Sequence, residues 1–215
     1  MTDPGAHQYD YEERLEVLPS IPAAAQTIAD VGCSRGGFGV ALRRSRGNVE
    51  LWGIDADSAI AAEAAPHYDR FLNGFFPEVL AEEDVRFDCI VFNDVLEHMA
   101  DPWAALRAAH SWLAPGGTVV GSIPNVRYFP VVARLLVLGD FSYTRNGVLD
   151  RTHLRFFTKR TVRDLFECSG FEVQNVRGIA PWRGRRRLAQ VAPPGVDDAL
   201  YRQFVVTGRS PSSRA

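Results

Sequence analysis

The chain has 215 residues, 46% of them hydrophobic, enough for one sizeable core and little more. Lys and Arg total 24 against 26 for Asp and Glu, and the formal charge of −2 excludes a global field for nucleic acid or an anionic membrane. Three scattered cysteines, Cys33, Cys89 and Cys168, form no CxxC pair, and no run approaches the roughly 18 apolar residues of a membrane span, so a soluble, cytoplasmic protein with free thiols is expected.

In chain order, YDYEERLEVLPSIP (residues 9–22) has the apolar spacing of an amphipathic helix. QTIADVG (26–32) and VELWGIDAD (49–57) are short β-forming runs that each lead into a segment of helical character, and FDCIVFND (87–94) and TVVGSIPN (118–125) repeat the arrangement. Strands alternating with helices predict a parallel sheet covered on both faces. Between the last two strands Asp101 can cap a helix, Pro102 fits its first turn, WAALRAAHSWL supplies apolar positions at helical spacing, and APGG stops it. Further on, TKRTVRDLFECSGF predicts a helix that opens near Thr158 or Thr161 and closes at Gly170, with strands following in FEVQNVRGI and YRQFVVTGR. The link between those strands holds no helix long enough for a parallel crossover, so they pair antiparallel, which puts one reversed strand in the edge region of the sheet. RGRRR (183–187) reads as a solvated loop or an anion contact, and residues 211–215 as a disordered tail.

DVGCSRGGFG (30–39) follows the first strand and opens a helix, the place where an open α/β sheet binds ligands. Gly32 and Gly36 let the backbone approach a ligand and present amides to it. Neither GxGxxG nor a P-loop ending is present, so nothing there demands a pyrophosphate. Asp55 ends the second strand about 20 residues after Gly36, where a carboxylate can accept both hydroxyls of a ribose. Together they point to a nucleoside ligand without phosphates.

At these residues the chain resembles the class I S-adenosylmethionine-dependent methyltransferases, whose first motif D/E-x-G-x-G-x-G reads here as Asp30, Gly32, Ser34 and Gly36. The resemblance implies a Rossmann-like fold with a seven-stranded, mostly parallel sheet. It implies one domain over 1–210, with an N-terminal helical cap at 1–26 and an acceptor-site insertion at 126–157. S-adenosylmethionine is the cofactor it implies, with Asp55 on the ribose and Ala56 beside the adenine. Gly74 aligns with the element after the third strand, although Phe75 stands where the family often has an acid. Asn93 and Val95, in FNDVLEHMADP, are expected close to the methyl group, and Tyr11 or Arg14 would reach the cofactor's carboxylate. SIPNVRYF, LLVLGDFSY and LDRTHLRFFT are similar to the MetW-like group and to methyltransferases of sugars and glycans.

Methyl transfer to a hydroxyl needs alignment and a proton acceptor. His153 and His98 are the candidate bases, with Asp94 beside the expected methyl position. Asn125, Tyr128, Asp150 and Arg151 are candidate acceptor contacts. Asp94, Glu97, His98, Asp150 and His153 together offer ligands that could hold Mg²⁺. The leading expectation is O-methylation of a sugar or glycan; the alternatives are a quinone, lipid or other small acceptor, or a non-catalytic accessory protein. A small-molecule or glycan acceptor and a second copy of the chain are the expected partners.

Overall fold

The computed structural model describes residues 12–181 and 197–211; Tyr11 and the RGRRR run lie outside them. The described residues form seven strands: β1 (Thr27–Val31), β2 (Glu50–Asp55), β3 (Arg70–Asn73), β4 (Phe87–Asn93), β5 (Leu113–Pro124), β6 (Glu172–Pro181) and β7 (Tyr201–Arg209). They form one sheet in the order β3-β2-β1-β4-β5-β7-β6. The first five run parallel, and β7 is antiparallel to both its neighbours. The reversed strand therefore lies one place in from the edge, with β6 outside it.

The central strands are buried on both faces, as continuous apolar runs predict for parallel sheets. One core layer gathers Ile90, Phe92, Leu96, Phe157 and Phe166; the other gathers Ile28, Leu51, Val91 and Val205. Helix α1 (Gly37–Ser45) follows the glycine turn and the short α2 (Ala61–Ala64) follows β2. Helix α3 (Pro102–Ala109) starts where Asp101 Oδ1 accepts from the Ala104 amide at 2.9 Å. The segment 126–157 contains α4 (Phe129–Leu138), an apolar helix whose Leu136, Val137 and Leu138 are exposed. At α5 (Lys159–Cys168) Thr158 is the cap, exchanging side-chain and backbone hydrogen bonds with Thr161, so the earlier of the two candidate threonines opens the helix. No described helix is long and apolar enough to cross a membrane.

The N-terminal cap departs from the expected helix. Among the described residues before β1 the helical structure is one 3-10 turn at Leu18–Ser20, and Arg14 takes a left-handed φ of 47°. Pro19 and Pro22 supply no amide to a helical ladder, so the apolar periodicity of this stretch is spent on burying Val17 and Ile21 on either side of the 3-10 turn.

Candidate active site

The carboxyl ends of β1, β2 and β4 open into a cleft of about 1530 Å³. Its floor is the turn after β1. Gly32 has φ +70°, and a Cβ placed there would lie 2.3 Å from Val95 Cγ2. Gly36, at φ +82°, packs against the His67 ring and caps α1 without lining the cleft, so its role is the shape of the turn. Asp55 accepts from the Ser34 amide at 2.9 Å and from the Asp57 amide at 2.9 Å, which locks its carboxylate across the mouth of the turn. Burial raises the Asp55 carboxyl above its ordinary range, and the two amides pull it back. Behind it Asp30 is 2% exposed and accepts from the Tyr68 hydroxyl at 2.7 Å; burial pushes its carboxyl up to about 7.

Ala56, Gly74 and Phe75 line the next stretch of wall, and the Phe75 ring is exposed there. Asn93 and Val95 line the cleft beyond β4. Among the described residues neither amide atom of Asn93 has a hydrogen-bond partner although both are buried, nor has the Ser34 hydroxyl. Buried polar groups of this kind call for a partner, which a ligand in the cleft can supply.

Asp94 sits at φ 53° and its carboxylate is fully engaged. Oδ2 meets Arg14 Nη2 at 2.6 Å, and Oδ1 accepts from Gln203 Nε2 at 2.7 Å and from the Ser122 hydroxyl at 3.2 Å. Burial raises its carboxyl to about 6 and the Arg14 guanidinium holds it down. Arg14 thus ties the N-terminal segment to β4. Gln203 and Ser122 carry no local signal in the sequence, since their partner is 109 and 28 residues away.

At the far end the cleft is lined by Glu97, His98, Asp150 and His153. The two imidazoles meet edge to face at 4.8 Å, and His153 Nε2 lies 4.0 Å from Glu97 Oε1. His153 Nδ1 is 3.1 Å from the Val148 carbonyl, so a neutral ring donates from Nδ1 and keeps its lone pair on Nε2. Glu97 is completely buried, and burial beside Asp94 holds its carboxyl well above the usual range. Asp150 is occupied by the Thr152 amide and hydroxyl at 2.8 and 2.6 Å.

Three expected acceptor contacts lie outside the cleft lining. Asn125 is fully buried, its amide donating to the Asp198 and Tyr201 carbonyls at 2.9 and 2.8 Å while its oxygen accepts from the Arg127 amide. It fastens the approach to β7 to the end of β5. Tyr128 caps α4, and Arg151 is exposed outside the cleft. Of the five candidate metal ligands, Glu97, His98 and His153 place one ligand atom each within 4.8 Å of one another. Asp94 and Asp150 are turned to other partners.

Residues 6–176 match the family model described as a methyltransferase domain. The chain is similar to a ubiquinone biosynthesis O-methyltransferase of Xanthomonas campestris pv. campestris, 28% identical over 170 residues that cover 75% of this chain and 70% of that protein. A protein of the same description from Ruegeria pomeroyi is 30% identical over 166 residues, covering 74% and 64%. A crystal structure of an S-adenosylmethionine-dependent methyltransferase from Archaeoglobus fulgidus shares the fold at a TM-score of 0.66 and 15% identity, covering 91% of this chain and 90% of that one. The cleft fits such a cofactor: Gly32 leaves no room for a side chain, Asp55 closes β2 with a carboxylate, and Ser34 and Asn93 offer buried groups that lack partners. The chain belongs to the methyltransferase domain family and is a class I S-adenosylmethionine-dependent methyltransferase.

Proposed function

We propose that this methyltransferase transfers its methyl group to a hydroxyl of a small, largely apolar acceptor of the quinone or phenol class. The observation that carries the choice is the make-up of the acceptor end of the cleft. Asn125, Tyr128 and Arg151, the polar contacts a sugar would use, are absent from its lining, whereas Met99, Val148 and Leu154 are present beside His153. Phe156 lies against His153 with ring centroids 6.3 Å apart and belongs to an aromatic group with Phe141 and Tyr143. The names of the relatives, ubiquinone biosynthesis O-methyltransferases, support the same acceptor class. Phe75 lines the cleft as an apolar acceptor site predicts, while Phe129 and Phe156 stand outside its lining.

When bound, S-adenosylmethionine supplies an electrophilic methyl on sulfonium. The chain's residues do the rest. Asp55 and the turn at Gly32 hold the nucleoside and amino-acid parts, Asn93 and Val95 face the reacting end, and the glutamate–histidine group takes up the hydroxyl proton. His153, its tautomer held by the Val148 carbonyl, receives the proton at Nε2. Alignment of the hydroxyl with the methyl accounts for most of the remaining barrier reduction.

Calorimetry with S-adenosylmethionine and its demethylated product tests cofactor binding. One site is expected, lost in Asp55→Ala; absence of binding, or indifference to Asp55→Ala, overturns the cofactor assignment. Labelled methyl donor presented with a panel of dihydroxylated aromatics and of sugars tests the acceptor. Methylation confined to sugars, or no turnover on either despite tight cofactor binding, overturns the acceptor reading.

A further inference from the structure

A left-handed backbone is rare outside glycine, and it persists only where the surroundings hold it. Among the described residues other than glycine, Arg14, Ser34, Asp94 and Ala180 take a positive φ, at 47°, 49°, 53° and 49°. Arg14, Ser34 and Asp94 line the cleft, and the 2.6 Å ion pair joins two of these strained residues, Arg14 and Asp94, to one another. Asp94 stands between Asn93 and Val95, which line the cleft beyond β4. What its conformation positions is visible at Val95. A Cβ on Gly32 would lie 2.3 Å from Val95 Cγ2, so the Val95 side chain fills the space over the Gly32 backbone. A different φ at Asp94 would swing Val95 away from the glycine turn and reshape the floor of the cleft.

Aspartate visits the left-handed region more readily than most residues, but its ordinary conformations remain open to a free chain. Here the surroundings close them. The Asp94 amide donates to the Ser122 carbonyl at 3.0 Å, and the carboxylate is taken up by Arg14, Gln203 and the Ser122 hydroxyl. These partners come from the N-terminal segment, β7 and β5, so no other backbone conformation keeps all of them. Arg14 and Gln203 are themselves buried, with the Arg14 side chain 8% and Gln203 6% exposed, and losing Asp94 would strand buried polar groups on both.

We infer that Arg14 and Gln203 are positioning residues for cofactor binding: acting through Asp94, they hold the turn after β4 left-handed and so keep Asn93 and Val95 in the shape that receives S-adenosylmethionine. The inference rests on the cofactor assignment and is independent of the acceptor class. A turn free to leave this conformation would lower the apparent cofactor affinity in proportion to the competent fraction, because binding would have to restore it.

Glycine separates the two things Asp94 provides. Asp94→Ala and Asp94→Gly lose the same carboxylate, but only glycine adopts the left-handed φ without strain. Cofactor calorimetry should place Asp94→Ala at least about tenfold below wild type in affinity, with most of that loss recovered in Asp94→Gly. Gln203→Leu and Arg14→Met should each lower cofactor affinity and raise the donor's KM by about threefold or more, leave the acceptor's KM unmoved, and add nothing further in a chain that already carries Asp94→Gly. If Asp94→Ala does not fold, Gln203→Leu with and without Asp94→Gly decides alone. Equal affinities in Asp94→Ala and Asp94→Gly, or the same loss from Gln203→Leu in both backgrounds, overturns the inference. Wild-type protein titrated alongside keeps the two readings apart: no wild-type binding overturns the cofactor assignment and this inference with it, whereas wild-type binding with a failed comparison overturns the positioning role alone.

Discussion

Asp30 offers a test of the site's electrostatics that needs no substrate. It is 2% exposed, one oxygen accepts from Tyr68 and the other has no partner among the described residues, and burial lifts its carboxyl from 3.8 to about 7. Its folded value lies above its unfolded value, so the unfolded chain ionises first as pH rises, and the native state loses stability across that window. Each pH unit is about 1.4 kcal/mol, so between about pH 5 and about pH 8 the wild type loses roughly 2.5 kcal/mol through this group, the loss levelling off above its folded value. Asn in its place still accepts from Tyr68 but does not titrate. Its amide group, placed where the carboxylate oxygen has no hydrogen-bond partner among the described residues, costs about 1–3 kcal/mol at every pH, an offset without slope. Urea unfolding of wild type and Asp30→Asn across this range should give two stability curves whose difference shifts by about 2.5 kcal/mol against the wild type toward alkaline pH, or about 5–10 °C in thermal midpoint. Parallel curves would refute the burial argument, because every other titrating group is common to both proteins.

Gly32→Ala is expected to lower cofactor affinity at least tenfold and stability by about 1–3 kcal/mol, since the new Cβ meets Val95 in a left-handed backbone. Calorimetry and urea unfolding measure both, and Val95→Ala in the same chain should restore part of the loss. Asn125→Ala should cost about 3 kcal/mol by stranding two carbonyls and an amide, while cofactor affinity of the folded fraction is unchanged. A raised KM with unaltered stability would instead make Asn125 an acceptor contact. His153→Ala should reduce turnover by at least about 100-fold with cofactor affinity within a few-fold. Single-turnover assays with labelled donor decide it; full activity, or loss of folding alone, returns His153 to a structural role.

The legible part of the fold was the part in which local pattern and tertiary fate agree. The apolar runs of β1 and β4, the Asp101–Pro102 start of α3 and the threonine cap of α5 carry their own signals and stand where those signals put them. β3 holds only Phe71 and Leu72 between polar ends, too little pattern to read as a strand; its pairing with β2 makes it one. The N-terminal stretch shows the reverse, a helical period overruled by two prolines. That Asp30, Gly32 and Asp55 share one cleft was legible because they end or follow adjacent parallel strands. The burial of Asn125 was not legible because the groups that engage its amide lie 73 and 76 residues away. Glu97 and His98 are adjacent in sequence, but His153 joins them only through the fold.

The reversed strand has a consequence for assembly during synthesis. β7 is the last of the seven described strands in chain order, yet it separates β5 from β6, and among the described residues β6 pairs with no other strand. A nascent chain can lay down the parallel block β1 to β5 in order, while β6 waits, its backbone donors satisfied by water, until residues 201–209 emerge. Asn125 and Gln203, each reaching between that block and the arriving strand, act as latches that engage only at this final step. Because Gln203 also grips Asp94, the β4 end of the cleft is completed only when β7 arrives, and a ribosome-stalled chain lacking it would hold the glycine turn and Asp55 but not the Arg14–Asp94–Gln203 group.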